Sequence, residues 1–200
     1  FKEHLFLVCE LLRENLFEFY VFNKEAEEEK YFTIKNIQSV AIQVLESLAF
    51  IHQMNLIHND LKPENILIRS YSRCEIKVID YGSSCFTTDH LGSYVQSRSY
   101  RAPEVILGAK YDQKIDIWSL GAVLAELHTS KELFRNESIV TMLAKMQGIL
   151  GQFPASLLQK SKYKLKYFTE ESILYEEQNK SLYYIIPKKT SLKAQLGDLE

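Results

Sequence analysis

The sequence predicts an α+β fold that is mainly helical, with one small hairpin inserted among the helices. Three observations carry this. Apolar residues recur at helical spacing from Ile34 to Met54, at Ile37, Val40, Ala41, Val44, Leu45, Leu48 and Ile51. Two short β-type runs, "NILI" (Asn65 to Ile68) and "EIKVI" (Glu75 to Ile79), flank the polar "RSYSRC". "IDIWSLGAVLAELHT" (Ile115 to Thr129) is apolar around most of its circumference, which predicts a helix buried on all sides.

Taken in order, "HLFLVCELL" near the start has the length and composition of a strand. Leu16 to Phe22 suits a brief helix, and the acidic "NKEAEEEK" after it reads as a solvated loop or helix end. Thr33 can cap the long helix from Ile34. "VAIQ" (Val40 to Gln43) imitates a nucleotide-binding strand motif, but its period is helical and it has no Lys. Asp80 to Tyr100 is polar and contains glycines, so an irregular loop is expected there. Ser138 to Leu150 is periodic enough for another helix, and the Lys- and Tyr-rich remainder is only loosely patterned.

Two hundred residues with 46% hydrophobic and 25% charged side chains suffice for one domain with a real core, or for part of a larger one. A net charge of −2 gives no electrostatic case for nucleic-acid binding. No apolar stretch approaches bilayer length, and no signal-peptide pattern opens the chain. Cys9, Cys74 and Cys85 are few, odd in number and irregularly spaced, as expected of reduced thiols in an intracellular protein, cytoplasmic or nuclear. Asn136 and Asn179 begin glycosylation-type triplets, which are common by chance.

The chemistry lies in an ordered series. His58, Asp60, Lys62 and Asn65 precede one β-run, Asp80-Tyr81-Gly82 follows the next, and Ala102-Pro103-Glu104 comes after the loop. Order, spacing and context agree throughout. On these residues the chain resembles a eukaryotic protein kinase, and the resemblance covers almost its whole length. It implies a protein-kinase-like fold whose mainly helical large lobe carries a small catalytic-loop hairpin. It also implies ATP and Mg2+ as cofactors and Ser/Thr-bearing proteins as substrates.

In that resemblance Asp60 is the base that orients the attacking hydroxyl, and Lys62 offsets charge on the transferring phosphoryl group. Asn65 and Asp80 are the magnesium ligands, and Gly82 lets the backbone turn after Asp80. His58 packs the catalytic loop, and Asp116 accepts hydrogen bonds from catalytic-loop amides. Glu104 corresponds to a carboxylate that pairs with a late Arg, for which this chain offers no identifiable match; Trp118 is core. "CELL" (Cys9 to Leu12) resembles the hinge, with Cys9 at the gatekeeper position and the backbone of Glu10 and Leu12 meeting adenine.

"SYVQSRSYRAPEVILG" (Ser93 to Gly108) and "VIDYGSSCF" (Val78 to Phe86) resemble the dual-specificity tyrosine-phosphorylation-regulated kinases. The closing "LYYIIPKKTSLKAQL" is similar to a plant and protist branch. The resemblance implies autophosphorylation of Tyr94, with Arg98 and Arg101 pairing the phosphate, followed by Ser/Thr phosphorylation of other proteins. Related kinases often favour an Arg ahead of the target residue, which Glu64, and beyond the hinge Glu18, could meet. Asn59 replaces the Arg that in many kinases binds the loop phosphate, and Tyr81 replaces a Phe.

The expected organisation is one partial kinase domain: a hinge strand at 1–12, large-lobe core at 13–150 and a family-specific insert at 151–200. The small lobe and the last large-lobe helices are expected to be missing. A truncated, non-catalytic binding module is the alternative. It leaves unexplained why the base and the metal Asp are both kept.

Overall fold

The computed structural model describes residues 3–25, 31–89, 92, 94–135 and 137–197. Helix α1 covers Leu16–Glu25 and α2 covers Ile34–Gln53. The latter begins where the Thr33 hydroxyl accepts the amide of Asn36, satisfying a donor that the helix end leaves open. Its buried face is Ile37, Val40, Val44, Leu48 and Ile51. Ala41 and Leu45, expected on that face, fall off it, and Leu45 is 45% exposed. Each lies one residue beyond a buried position, which turns it roughly 100° around the axis. Of the acidic stretch, residues 26–30 lie outside the described residues.

Four short strands follow: β1 (Leu56–Ile57), β2 (Ile66–Ser70), β3 (Glu75–Val78) and β4 (Cys85–Phe86). The expected hairpin is β2–β3, antiparallel with Ile66 opposite Val78 and Ile68 opposite Ile76. Its Ile66, Ile68 and Ile76 are buried, the alternation a half-buried strand requires, and β3 packs on α2. The loop expected over 80–100 is more structured than its composition suggests. β4 pairs with β1, setting Ile57 opposite Cys85, and Arg98–Tyr100 form a 3-10 turn.

The expected hinge strand at 1–12 is not a strand. The described part of that segment pairs with nothing, and Leu5, Leu7, Val8 and Leu11 are all more than 80% exposed. An apolar run becomes a strand only where a neighbour takes its backbone bonds. Here that begins at residue 13: Arg13 N donates to Ile68 O, Ile68 N to Glu14 O, and Asn15 bridges Leu67.

Helix α3 is a single turn, Pro103–Ile106, and α4 spans Lys114–Thr129. Helix α4 is not buried all round. Ile117 and Gly121 are open, lining with Trp118, Leu133 and Phe134 an apolar cavity of about 470 Å³. Its buried side carries three polar residues, Asp116, Ser119 and Glu126. Helix α5, Ile139–Leu150, starts in a reciprocal cap between Ser138 and Thr141.

The rest comprises α6 (Ala155–Gln159), α7 (Lys164–Tyr167), the hairpin β5 (Tyr175–Gln178) with β6 (Ser181–Tyr184), and α8 (Leu192–Leu196). Leu158, Phe168 and Leu174 join the main hydrophobic core built by α1, α2, α4 and α5. The carbonyl of Lys188 occupies the space where a Cβ on Gly148 would stand, and Thr190 N donates to Gly148 O. Among the described residues no helix is long and apolar enough to cross a membrane.

Candidate active site

The segment from His58 to Asn65 joins β1 to β2, and it is organised from below by α4. Asp116, wholly buried in the first turn of that helix, accepts three bonds. His58 N and Asn59 N donate at 2.9 and 3.1 Å, and His52 Nε2 lies at 2.9 Å. A carboxylate away from water needs such donors, and here they are the amides of the loop itself. The His58 ring accepts from Asp60 N at Nδ1 (3.3 Å) and meets Ile79 O at Nε2 (3.0 Å). Since an amide can only donate, the ring proton sits on Nε2, and both ring nitrogens are committed to holding backbone.

Asp60 is reached from three sides. Its Oδ1 accepts from Ser97 N (3.1 Å) and Ser97 Oγ (2.8 Å). Its Oδ2 lies 2.7 Å from Lys62 Nζ and accepts from Asn65 Nδ2 at 3.3 Å. Lys62 also donates to Ser97 Oγ, at 3.2 Å. Burial alone would lower the Lys62 ammonium. The bond to Asp60 and the charges of Asp60, Glu64 and Asp80 outweigh it and hold the group above its ordinary value. Ser97, which binds both catalytic candidates, was not singled out by sequence reasoning. Its signal was present in the quoted Gln-Ser-Arg run, but a lone Ser in a loop has no spacing to betray it.

Asn65 directs its amide nitrogen to Asp60 O at 2.8 Å, leaving its amide oxygen for another partner. Asp80 is exposed, with a positive φ of 63°, a conformation Asp tolerates better than most. It accepts from Gly82 N at 3.2 Å, and a Cβ on Gly82 would stand 3.1 Å from that same Oδ1. Among the described residues no three His, Cys, Asp or Glu side chains form a metal cage. Two oxygen donors from adjoining loops suit Mg2+, which takes most of its shell from phosphates and water.

The structure sets the remaining candidates around this centre. Glu10 reaches the hairpin, its carboxylate 3.0 Å from Arg69 Nε. Tyr81 is 42% exposed and tilts against the His58 ring at 5.1 Å, so its hydroxyl needs no buried partner. Tyr94 is 80% exposed under the guanidinium of Arg101, 4.1 Å away. Hydrogen bonding and charge from Arg101, with a smaller contribution from Arg98, lower its hydroxyl below the ordinary value. Ser93 lies outside the described residues.

Arg101 is itself buried, donating from Nε to Val95 O (2.8 Å) and from Nη2 to Gln96 O (2.7 Å). It therefore braces the loop as well as facing Tyr94. Glu104 lines the apolar cavity, and burial followed by the charge of Asp112 pushes its carboxyl up. It makes no ion pair among the described residues.

Glu64 belongs to an acidic group that the sequence did not reveal. Tyr100 donates to Glu126 Oε2 at 2.7 Å, and Ser99 donates to Glu132 Oε2 at 2.7 Å. Burial pushes Glu126 up to about 7, with Glu132 and Glu64 adding to the rise and the Tyr100 bond opposing it. Glu126 was hidden because it falls within an apolar helix. Glu18 sits apart near the start of α1, its amide capped by Asn15.

Comparison with known proteins agrees with this geometry. Residues 1–185 match the family described as "Protein kinase domain". The chain is 43% identical over 171 residues to a probable serine/threonine-protein kinase dyrk2 of Dictyostelium discoideum, covering 86% of this chain and 18% of that protein. It is 45% identical over 168 residues to dual specificity tyrosine-phosphorylation-regulated kinase 3 of Homo sapiens, covering 84% and 28%. With serine/threonine-protein kinase ppk5 of Schizosaccharomyces pombe it shares 42% over 171 residues, covering 86% and 20%. The chain thus spans less than a third of the length of these curated relatives.

Proposed function

The chain belongs to the protein kinase family, and on that premise we propose that it forms the catalytic lobe of an ATP-dependent kinase acting on Ser and Thr of proteins and on its own Tyr94. The observation that carries this reading is the closed set Asp60–Lys62–Ser97–Asn65, in which one carboxylate is oriented by three polar groups. Asp60 would receive the proton of the substrate hydroxyl and aim its oxygen. Lys62, kept charged by Asp60, would face the transferring group. Bound Mg2+, held through Asn65 and Asp80, would supply charge compensation for the phosphates. The backbone of Glu10 and Leu12, which makes no hydrogen bond among the described residues, is open to the adenine edge.

The same reading assigns residues 1–12 to the connection between lobes, 13–150 to the large-lobe core and 151–200 to an insert. The grouping of Glu64, Glu126 and Glu132 around Tyr100 supports substrates with Arg near the target residue. A phosphate on Tyr94 would add charge beside Arg101 and Arg98 and tie the loop ahead of Glu104.

The test is the full-length protein produced in bacteria beside its Asp60→Asn variant. Wild type is expected to phosphorylate protein substrates on Ser or Thr and to carry phosphate on Tyr94 by mass spectrometry. The variant is expected to lose at least about 10²-fold in rate and to leave Tyr94 unmodified. An unmodified Tyr94 in an active wild type would remove the autophosphorylation step. Equal activity in both proteins would remove Asp60 from its role.

A further inference from the structure

Asn59 looks in the sequence like a loss, because it stands where many kinases place a phosphate-binding Arg. In the structure it is a connection. The residue is 1% exposed, and its side chain crosses from the catalytic loop to the segment that follows Asp80. Its Nδ2 donates to Ser83 O at 2.9 Å and to Cys85 Sγ at 3.0 Å. From the opposite side Ser84 Oγ donates to His58 O at 3.2 Å. Two side chains therefore close the same gap in opposite directions, just beyond the β1–β4 pairing of Ile57 with Cys85.

The backbone is arranged to suit. Asn59 has a φ of 67°, a left-handed conformation that Asn accepts more readily than most residues. Its amide N–H is spent on Asp116 Oδ1 at 3.1 Å. Its side-chain Oδ1 is buried and finds no partner among the described residues. An unpaired buried acceptor is unfavourable, so the amide is held in place by its donor end. The reversed orientation would turn its oxygen onto the Ser83 carbonyl, acceptor against acceptor. The geometry thus fixes which end of the amide faces the loop.

We propose that Asn59 is a positioning residue, a clamp that aligns the Asp80–Cys85 segment with Asp60 without any phosphate on the loop. The inference rests on the kinase reading above. An Arg in this place would act only after a phosphate arrived to pair with it, whereas an amide bonded to a carbonyl and a thiol acts as soon as the chain folds. Modification of Tyr94 would then bear on the substrate platform next to Arg101, and the metal-ligand loop would already be set.

Asn59→Gly tests this, because glycine keeps the positive φ and the backbone bond to Asp116 and removes only the amide. In the full-length protein, hydrogen exchange at residues 83–86 is expected to quicken about tenfold, while the β2–β3 ladder keeps its protection. Half-maximal rate is expected to require about tenfold more Mg2+, with the peptide KM within about twofold of wild type. Cys85→Ala, which removes one of the two acceptors, is expected to shift both readouts in the same direction by less.

Unchanged exchange and an unchanged Mg2+ requirement in Asn59→Gly would overturn the clamp. So would a general loss of protection that includes the β2–β3 ladder, and Cys85→Ala then serves as the variant that leaves the backbone untouched. A wild-type protein with no kinase activity would overturn the underlying reading instead, and the exchange comparison, which needs no turnover, keeps the two failures apart.

Discussion

Residues 57–65 and residues 173–186 are stretches of similar kind, each a short run of backbone with little regular structure of its own, yet they are held in different ways. In the first, Ile57, His58, Asn59, Leu61 and Asn65 are all at least nine-tenths buried, and the polar ones bond across the molecule to Asp116, Ile79 and Ser83. In the second, every residue of β6 is exposed, and the strand is held by its ladder to β5, with Ile185 N donating to Leu174 O beyond it. A loop that must present a carboxylate, an ammonium and an amide in fixed relation has to be tied to something rigid, and buried polar bonds to a central helix do that. A surface hairpin needs only its own register. Substitutions in the two regions are therefore expected to differ widely in cost.

The largest effect is expected at the tie itself. Asp116→Ala would leave the amides of His58 and Asn59 and the ring of His52 without their acceptor in a site water does not reach. The cost is expected to be about 3–5 kcal/mol, or roughly 10 °C in Tm, with loss of kinase activity alongside. Asp116→Asn, which keeps one oxygen, is expected to cost less. A thermal melt in which Asp116→Ala lies within 1–2 °C of wild type would break the contrast between the regions.

A smaller effect belongs to Glu126, on the same helix. Burial raises its pKa to about 7, so the folded protein keeps this proton at pH values where the unfolded chain has released it. The favourable contribution is whole below the ordinary carboxylate range, declines as pH rises and is gone above about 7. Glu126→Gln is expected to match wild type near pH 4.5 and to exceed it at pH 8 by roughly 1–2 kcal/mol, allowing for solvent screening. Parallel melts at the two pH values check this. A constant difference between variant and wild type would mean that the carboxyl does not titrate in that window.

How far the sequence foretold these regions follows the same division. The helix from Ile34, the hairpin at Ile66–Val78 and the cap at Ser138 were legible because each depends on spacing within one segment. The series His58 to Glu104 was legible because its chemistry limits residue types at fixed intervals. What stayed hidden depends on pairs distant in sequence: Ser97 on Asp60, Asn59 on Ser83, Ser99 on Glu132. The run at 4–12 misled for the same reason, since its composition suits a strand but its backbone finds no partner among the described residues. Helix α4 looked buried all round because a local apolar pattern cannot show that Ile117 and Gly121 face a cavity.

The smallest effect is expected in the surface hairpin, where it sharpens the comparison. Leu182 in β6 is 55% exposed and stands opposite Glu177 in β5. Leu182→Thr exchanges one strand-compatible side chain for another and removes exposed apolar surface, so little burial is lost. The ladder bonds run through the backbone and are untouched, with Glu177 still opposite position 182. Stability is expected to change by no more than about 0.5 kcal/mol, near 1–2 °C in Tm, with activity unaltered. Thermal melts and a substrate assay on the full-length variant measure both. A loss above 1 kcal/mol would mean that β6 reports to the core as the catalytic loop does, through contacts that its exposure does not suggest.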